Sequence, residues 1–435
     1  MRALAAGRAA EAATLEKEIA AQLSQFQELQ AEMQARSPRY AALTQPVPLT
    51  LSQVQEELLD DDTTLVEIAL GAERSHAFII GRRSFRVAEL PPRRALDELA
   101  RALYSRVSRR PARGASWERG GGAEASALGR ALLAPLAPLS TRRLAVVTQG
   151  ALQYVPFAVL RDPDRPGPLL ADHEVVTLPS ASALAVLRRE TAGRSGAPLR
   201  VAILADPVLD PGDARLPARA ARARAAPPAA EQERSARFAR LTELTRLPFT
   251  RREAQAIVQA AGVTGVRTAL GFEANRDLAL SPELARYRVL HFATHGLLND
   301  ERPDLSGLVL SLFDREGRPR DGFLRLADIY NLDLPAELVV LSACRTGLGK
   351  NVRGEGLVGL SRAFMYAGAP RVLASSWTVD DAATAELMAE FYRMLFVERR
   401  PAADALRGAQ LHMQKHSRWH HPYYWAAFTL QGEWQ

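Results

Sequence analysis

Cysteine is nearly absent from this chain of 435 residues: there is one, Cys344. A single thiol excludes an internal disulfide framework and fits a reducing compartment. Aromatic residues are sparse too, at 6%. The densest arginine run, residues 215–240, holds one of them, Phe238. That is too little for a base-stacking platform, so the net charge of +7 reads as a solvated arginine surface, and no direct nucleic-acid contact is expected. No apolar run approaches the roughly 18–20 residues of a membrane helix. The nearest, residues 131–139, is broken by two prolines. The N-terminus, rich in alanine and charge, has no apolar signal core. A cytoplasmic protein without membrane contact is therefore expected.

What is present is ordinary globular material, 47% hydrophobic and 24% charged, long enough for two or three domains. In residues 1–35, Leu15, Ile19, Leu23, Phe26, Leu29 and Met33 recur at gaps of three and four, which predicts one amphipathic helix. Its stripe needs burial, against the next domain, a helical array or a partner. From Thr64 the period shortens to strands near 65–70, 76–80 and 84–88, then a helix at 93–109, a glycine-rich loop at 114–122 and strands at 144–147 and 174–178. From Leu199 apolar strands and amphipathic helices alternate to the end, interrupted by the arginine-rich stretch. This pattern predicts an α/β fold with a mostly parallel sheet covered on both faces. The expected division is a helical segment at 1–60, an α/β scaffold unit at 61–195 and a catalytic α/β domain at 196–435.

Two strands of the last unit end on reactive residues. Residues 289–294 lead into His295-Gly296, and residues 338–343 lead into Cys344-Arg345. The two residue numbers, 344 and 295, differ by 49. In parallel sheets functional groups collect at the carboxyl ends of strands, so adjacent strands would bring the pair together. A thiol with a free pKa near 8.5 needs a base, and an imidazole can take its proton and later protonate a leaving amine. The backbone N–H groups of Gly296 and Cys344 are candidates for an oxyanion hole.

The flanking residues resemble a known family. Ala-Thr-His-Gly at 293–296, Leu-Ser-Ala-Cys-Arg-Thr-Gly at 341–347 and Gly-Glu-Gly-Leu-Val-Gly-Leu-Ser-Arg-Ala-Phe at 354–364 are followed by Ala-Gly-Ala at 367–369 and Ser-Ser-Trp-Thr-Val-Asp-Asp at 375–381. This series is similar to the CHAT branch of the caspase/separase clan of cysteine proteases, and only Ser376 departs from the common leucine. The resemblance runs from about Leu65 onward. It implies a caspase-like sandwich with a mostly parallel central sheet, preceded by a pseudo-protease-like unit, and a dyad of His295 and Cys344. His291 falls on a strand position with a structural role. Residues 1–60 resemble the end of a tetratricopeptide array, with no complete repeat present. The family also implies bacterial defence or cell-death signalling, with a protein substrate encoded nearby, such as a pore-forming or signalling protein, and an activator acting through the N-terminal region. No cofactor is implied.

By similarity to separase, which cleaves after arginine, Asp381 and secondarily Asp380 are candidates for holding a basic substrate side chain. The competing reading is that Asp381 merely caps a helix starting at Ala382. If cleavage follows arginine, residues 215–240 are a candidate self-cleavage site. Two further patterns lead elsewhere. Gly354 to Gly359 satisfies a dinucleotide-loop spacing but does not directly follow a strand. His412, His416 and His420 are spaced as a metal ladder without a cysteine, so neither a nucleotide nor a metal is expected. The alternative to a protease is a catalytically silent caspase-fold scaffold that binds proteins.

Overall fold

The computed structural model describes residues 47–112, 116–117, 122–162, 167–217, 244–298, 306–342, 344–347, 355–415 and 418–434. The expected helix at 1–35, most of the loop at 114–122 and most of the stretch 215–240 lie outside them. The strands, in chain order, are β1 (Thr63–Ala69), β2 (Ser75–Gly81), β3 (Ser84–Leu90), β4 (Arg143–Val147), β5 (Glu174–Leu178), β6 (Leu199–Ala205), β7 (Val266–Leu270) and β8 (Tyr287–Ala293). They continue as β9 (His295–Leu298), β10 (Gly307–Val309), β11 (Phe323–Arg325), β12 (Leu338–Leu341), β13 (Cys344–Gly347), β14 (Arg371–Ser375) and β15 (Phe428–Gly432). The longer helices are α1 (Arg93–Val107), α2 (Gly122–Leu132), α3 (Ala181–Thr191), α4 (Phe249–Ala261), α5 (Glu355–Ala367), α6 (Asp381–Tyr392) and α7 (Ala402–Lys415).

Eleven strands form one sheet in the order β3-β2-β1-β4-β5-β15-β14-β12-β8-β6-β7. It is a mixed, mostly parallel α/β sheet, as the alternation of apolar strands and amphipathic helices requires. β12 (Leu-Val-Val-Leu) is buried along its whole length, as expected of a strand covered on both faces. Helix α1 buries Leu96, Ala100, Leu103 and Val107, an i, i+4, i+7, i+11 stripe. Edge strand β3 is exposed over its first four residues.

The sheet has two parallel blocks. β1, β4, β5 and β15 run one way. β14, β12, β8, β6 and β7 run the other. They meet antiparallel at β14 and β15, where Arg371 pairs with Gly432 and Ser375 with Phe428. Gly432 suits that seam: its φ is +93°, and a Cβ there would lie 2.2 Å from the Pro370 carbonyl oxygen.

A second sheet, in the order β11-β10-β9-β13, was not foreseen. β8 leaves the main sheet at Thr294 and continues as β9, and β12 leaves at Ser342 and continues as β13. Two hydrogen bonds hold the exits: Thr294 Oγ1 donates to the Val309 carbonyl, and the Ser342 N–H donates to the Phe292 carbonyl at 3.0 Å. The parallel register survives the step. Leu338 pairs with Val289 in the main sheet, and Cys344 pairs with His295 in the small one. Both pairs differ by 49, so the spacing seen in the sequence is the register of one continuous strand pair.

Candidate active site

His295 opens β9, with Cys344 as its Cα partner on one side and Val309 on the other. Both residues were expected just past strand ends. They do follow β8 and β12, but each begins a further strand. Gly296, the expected oxyanion donor beside Cys344, is likewise a ladder residue, paired with Leu308 and Arg345.

The imidazole is 5% exposed. Nε2 lies 2.7 Å from the Thr245 carbonyl oxygen. A carbonyl only accepts, so Nε2 carries the proton and Nδ1 presents its lone pair. Nδ1 is buried and makes no hydrogen bond among the described residues. Burial lowers the pKa of His295 below 6.5, partly offset by the bond to Thr245. A neutral ring with one oriented, accepting nitrogen is the form that takes a proton. The Thr245 carbonyl was missed because it is a backbone group beyond a long insertion, with no side-chain signature.

Thr245 belongs to a strap, residues 244–249, laid across the carboxyl ends of β6 and β8. Leu244 is buried in a cluster with Leu297, Val309 and Leu312 beside the small sheet. Arg246 makes two bonds to the buried Asp206, at 2.8 and 2.9 Å. The Phe249 N–H, at the start of α4, donates to Asp381 Oδ2 at 2.8 Å.

That last contact corrects the capping alternative for Asp381. Helix α6 begins at Asp381 rather than Ala382, and its cap is Asp380, whose Oδ1 accepts from the Ala382 and Ala383 N–H groups at 3.1 and 3.2 Å. Asp381 instead serves a different helix, α4. Burial pushes the Asp381 carboxyl up to about 6; the Phe249 bond opposes this, and the carboxylates of Glu253, Asp380 and Asp206 reinforce it. Asp380 already has a cation, since its Oδ2 lies 2.6 Å from Arg110 Nη2. Nearby, Tyr104 donates to the Ser376 carbonyl at 3.0 Å and packs edge-on against Trp377 at 6.1 Å. The first half of the chain thus supports the 376–380 turn directly.

Beneath the site His291 is fully buried between α4 and α6. Its Nδ1 lies 2.9 Å from the Tyr392 hydroxyl and its Nε2 3.0 Å from Glu253 Oε1. Burial, reinforced by Glu253, pushes the Tyr392 phenol far up, so it keeps its proton and donates to Nδ1, turning the ring's own proton toward Glu253. The approach to Glu253 is close but poorly aligned, a polar contact of a neutral ring rather than a hydrogen bond. His291 therefore ties strand to helices. Of the histidine ladder, His412 lies on α7, His416 is outside the described residues, and neighbouring His421 uses Nδ1 to cap a short turn at Tyr423.

Residues 122–433 match the CHAT domain. The chain belongs to the CHAT family. Its fold is accordingly cysteine-protease-like, of the caspase type. Tetratricopeptide repeat protein 28 of Mus musculus is 39% identical over 113 residues, 26% of this chain and 4% of that protein. Its Homo sapiens counterpart is 26% identical over 325 residues, 67% of this chain and 12% of that protein. This CHAT chain thus spans a small fraction of either relative. The Saccharomyces cerevisiae separase–securin crystal structure aligns with 88% of this chain and 30% of that one, at 10% identity and a TM-score of 0.49. No helix among the described residues is long and apolar enough to cross a membrane.

Proposed function

We propose that this CHAT domain is a cysteine endopeptidase in which His295 and Cys344 form the dyad. The observation that carries the reading is the pairing of Cys344 with His295 in one ladder, whose strands run about 4.8 Å apart. The Thr245 carbonyl strengthens it by leaving Nδ1 as the accepting nitrogen. In the reaction His295 Nδ1 takes the thiol proton as sulfur attacks the peptide carbonyl. The oxyanion is assigned to the N–H of Cys344, since Gly296 is paired within the small sheet on both sides. The imidazolium then protonates the departing amine, and water releases the acyl group by the same route. Activity requires the neutral ring, so it holds through neutral pH and falls only as the pH drops through the lowered pKa of His295.

The substrate side chain before the cut is basic, held by Asp381 with Asp380 second. Asp381 supports this: its carboxyl is raised by burial and by three facing carboxylates, and a bound guanidinium would relieve that repulsion. The substrate is a protein, and the enzyme stays low in activity until an activator acts through the N-terminal region, in cytoplasmic bacterial defence or cell-death signalling. An arginine-bearing electrophile tests the reading. The native chain labels, Cys344→Ala abolishes labelling and His295→Ala strongly reduces it. Equal labelling of denatured protein would favour the scaffold reading. That second reading has one observation behind it: the first half repeats the strand motif with Gln149 where the second has His295.

A further inference from the structure

Asp206 follows β6 with φ at +50°, and its side chain is fully buried. A non-glycine residue held in the left-handed region persists only where its surroundings over-determine it. Here they do. Arg246 binds both carboxylate oxygens, Arg251 binds Oδ2 at 3.0 Å, and Arg215 reaches Oδ2 at 3.1 Å and the Asp206 carbonyl at 2.7 Å. The Asp206 N–H donates to Thr250 Oγ1 at 3.1 Å. Three guanidinium groups thus converge on one buried carboxylate. One of them, Arg246, is the chain neighbour of Thr245.

We propose that Asp206 is a positioning residue, anchoring the strap so that the Thr245 carbonyl fixes the tautomer of His295. It touches neither the imidazole nor any substrate. Its action runs through Arg246, which holds one side of Thr245, and through Thr250, which holds the start of α4 beyond it. Leu244 fixes the other side by apolar burial. Released from Asp206, the strap loses its only bidentate charged anchor among the described residues, and the Nε2 proton loses its defined acceptor. The choice of a carboxylate fits the task, because its two oxygens match the planar guanidinium fork and set direction as well as distance.

This rests on the reading of His295 as the base, but the two are tested separately. In full-length protein with nitrogen-15 histidine, long-range proton–nitrogen spectra report which ring nitrogen of His295 is protonated and at what pH the ring titrates. The native chain is expected to show a single Nε2–H tautomer. Asp206→Asn, which keeps the shape and removes the charge, is expected to give a tautomer mixture with the titration moved further down, because the Thr245 bond that opposes the effect of burial is lost. Arg246→Lys, which loses the fork but keeps the charge, should give the same change to a smaller extent, and it decides the matter if Asp206→Asn does not fold. A His295 that keeps one Nε2–H tautomer and an unchanged titration in a folded variant overturns the proposal. Labelling of Cys344 in the native chain is read independently, so an enzyme that never labels removes the protease reading and leaves the anchor to the spectra.

Discussion

The two halves of the sheet repeat one another at the strand that matters and diverge where it ends. Arg142-Arg143-Leu144-Ala145-Val146-Val147-Thr148-Gln149-Gly150 in the first matches Arg288-Val289-Leu290-His291-Phe292-Ala293-Thr294-His295-Gly296 in the second at the leading arginine, a leucine, the threonine and the glycine. The arginines do the same thing. Arg142 Nε lies 2.7 Å from Glu174, and Arg288 Nε lies 2.8 Å from Glu337. In each case the glutamate N–H also donates to the arginine carbonyl, at 2.8 and 2.7 Å. After the threonine, however, the first half turns into a short 3-10 helix at Gly150–Tyr154, and Gln149 is exposed. The second half enters the small sheet, and its histidine is buried. The difference teaches that the strand motif alone does not pair the candidate residues: the second sheet does, by following β8 and β12 with four further paired positions in the same register.

The sharpest way to break this contrast is to give the second half the residue of the first. His295→Gln should lower kcat/KM by about 10²–10⁴, the range expected for losing a general base, with little loss of fold. The converse, Gln149→His, should add no activity, because no strand stands opposite it; electrophile labelling of both variants checks the pair. Next in size is the buried layer. The second half carries His291 where the first has Ala145, and His291→Ala would strand the Glu253 carboxylate. A loss of about 2–5 kcal/mol in urea unfolding is expected, the range for truncating a large buried side chain and leaving a buried polar group without its neighbour.

The smallest effect has the opposite sign. The folded pKa of Asp381, about 6, lies above its unfolded value of 3.8. The stability it contributes is therefore complete below pH 3.8 and lost as pH rises through 6. Two pKa units bound the cost at about 3 kcal/mol, and solvent screening of a partly exposed group reduces it to about 1 kcal/mol. Asp381→Asn keeps an acceptor for the Phe249 N–H, so it should raise the melting temperature at pH 8, make no difference at pH 3, and weaken preference for basic substrates. Arginine and glutamine versions of one substrate, beside paired melts, check both halves of that trade.

Much of the candidate site was legible in the residues because it follows two apolar strands. The order of strands and helices follows from periodicity, and the spacing of His295 and Cys344 is read directly from the residue numbers. The second sheet was not legible: His-Gly-Leu-Leu and Cys-Arg-Thr-Gly are too short to display alternation. Nor was the strap, since Thr245 acts through its carbonyl and Arg246 looked like part of a scattered arginine surface. Asp206 was visible only as the residue after a strand. The assignment of a cap to Asp381 was off by one residue, a shift that hydrophobic pattern cannot resolve but that moves a carboxylate from one helix to another.

The antiparallel seam has a consequence for how the molecule is made. β15 sits in the middle of the sheet yet comes after every other strand in the chain. Until it arrives, β5 and β14 each present an open row of N–H and C=O groups, the kind of edge that invites pairing with a neighbour. Synthesis therefore delivers two half-sheets first and the strand that joins them last, so a chain interrupted before Phe428 is both incompletely paired and prone to associate with its own kind.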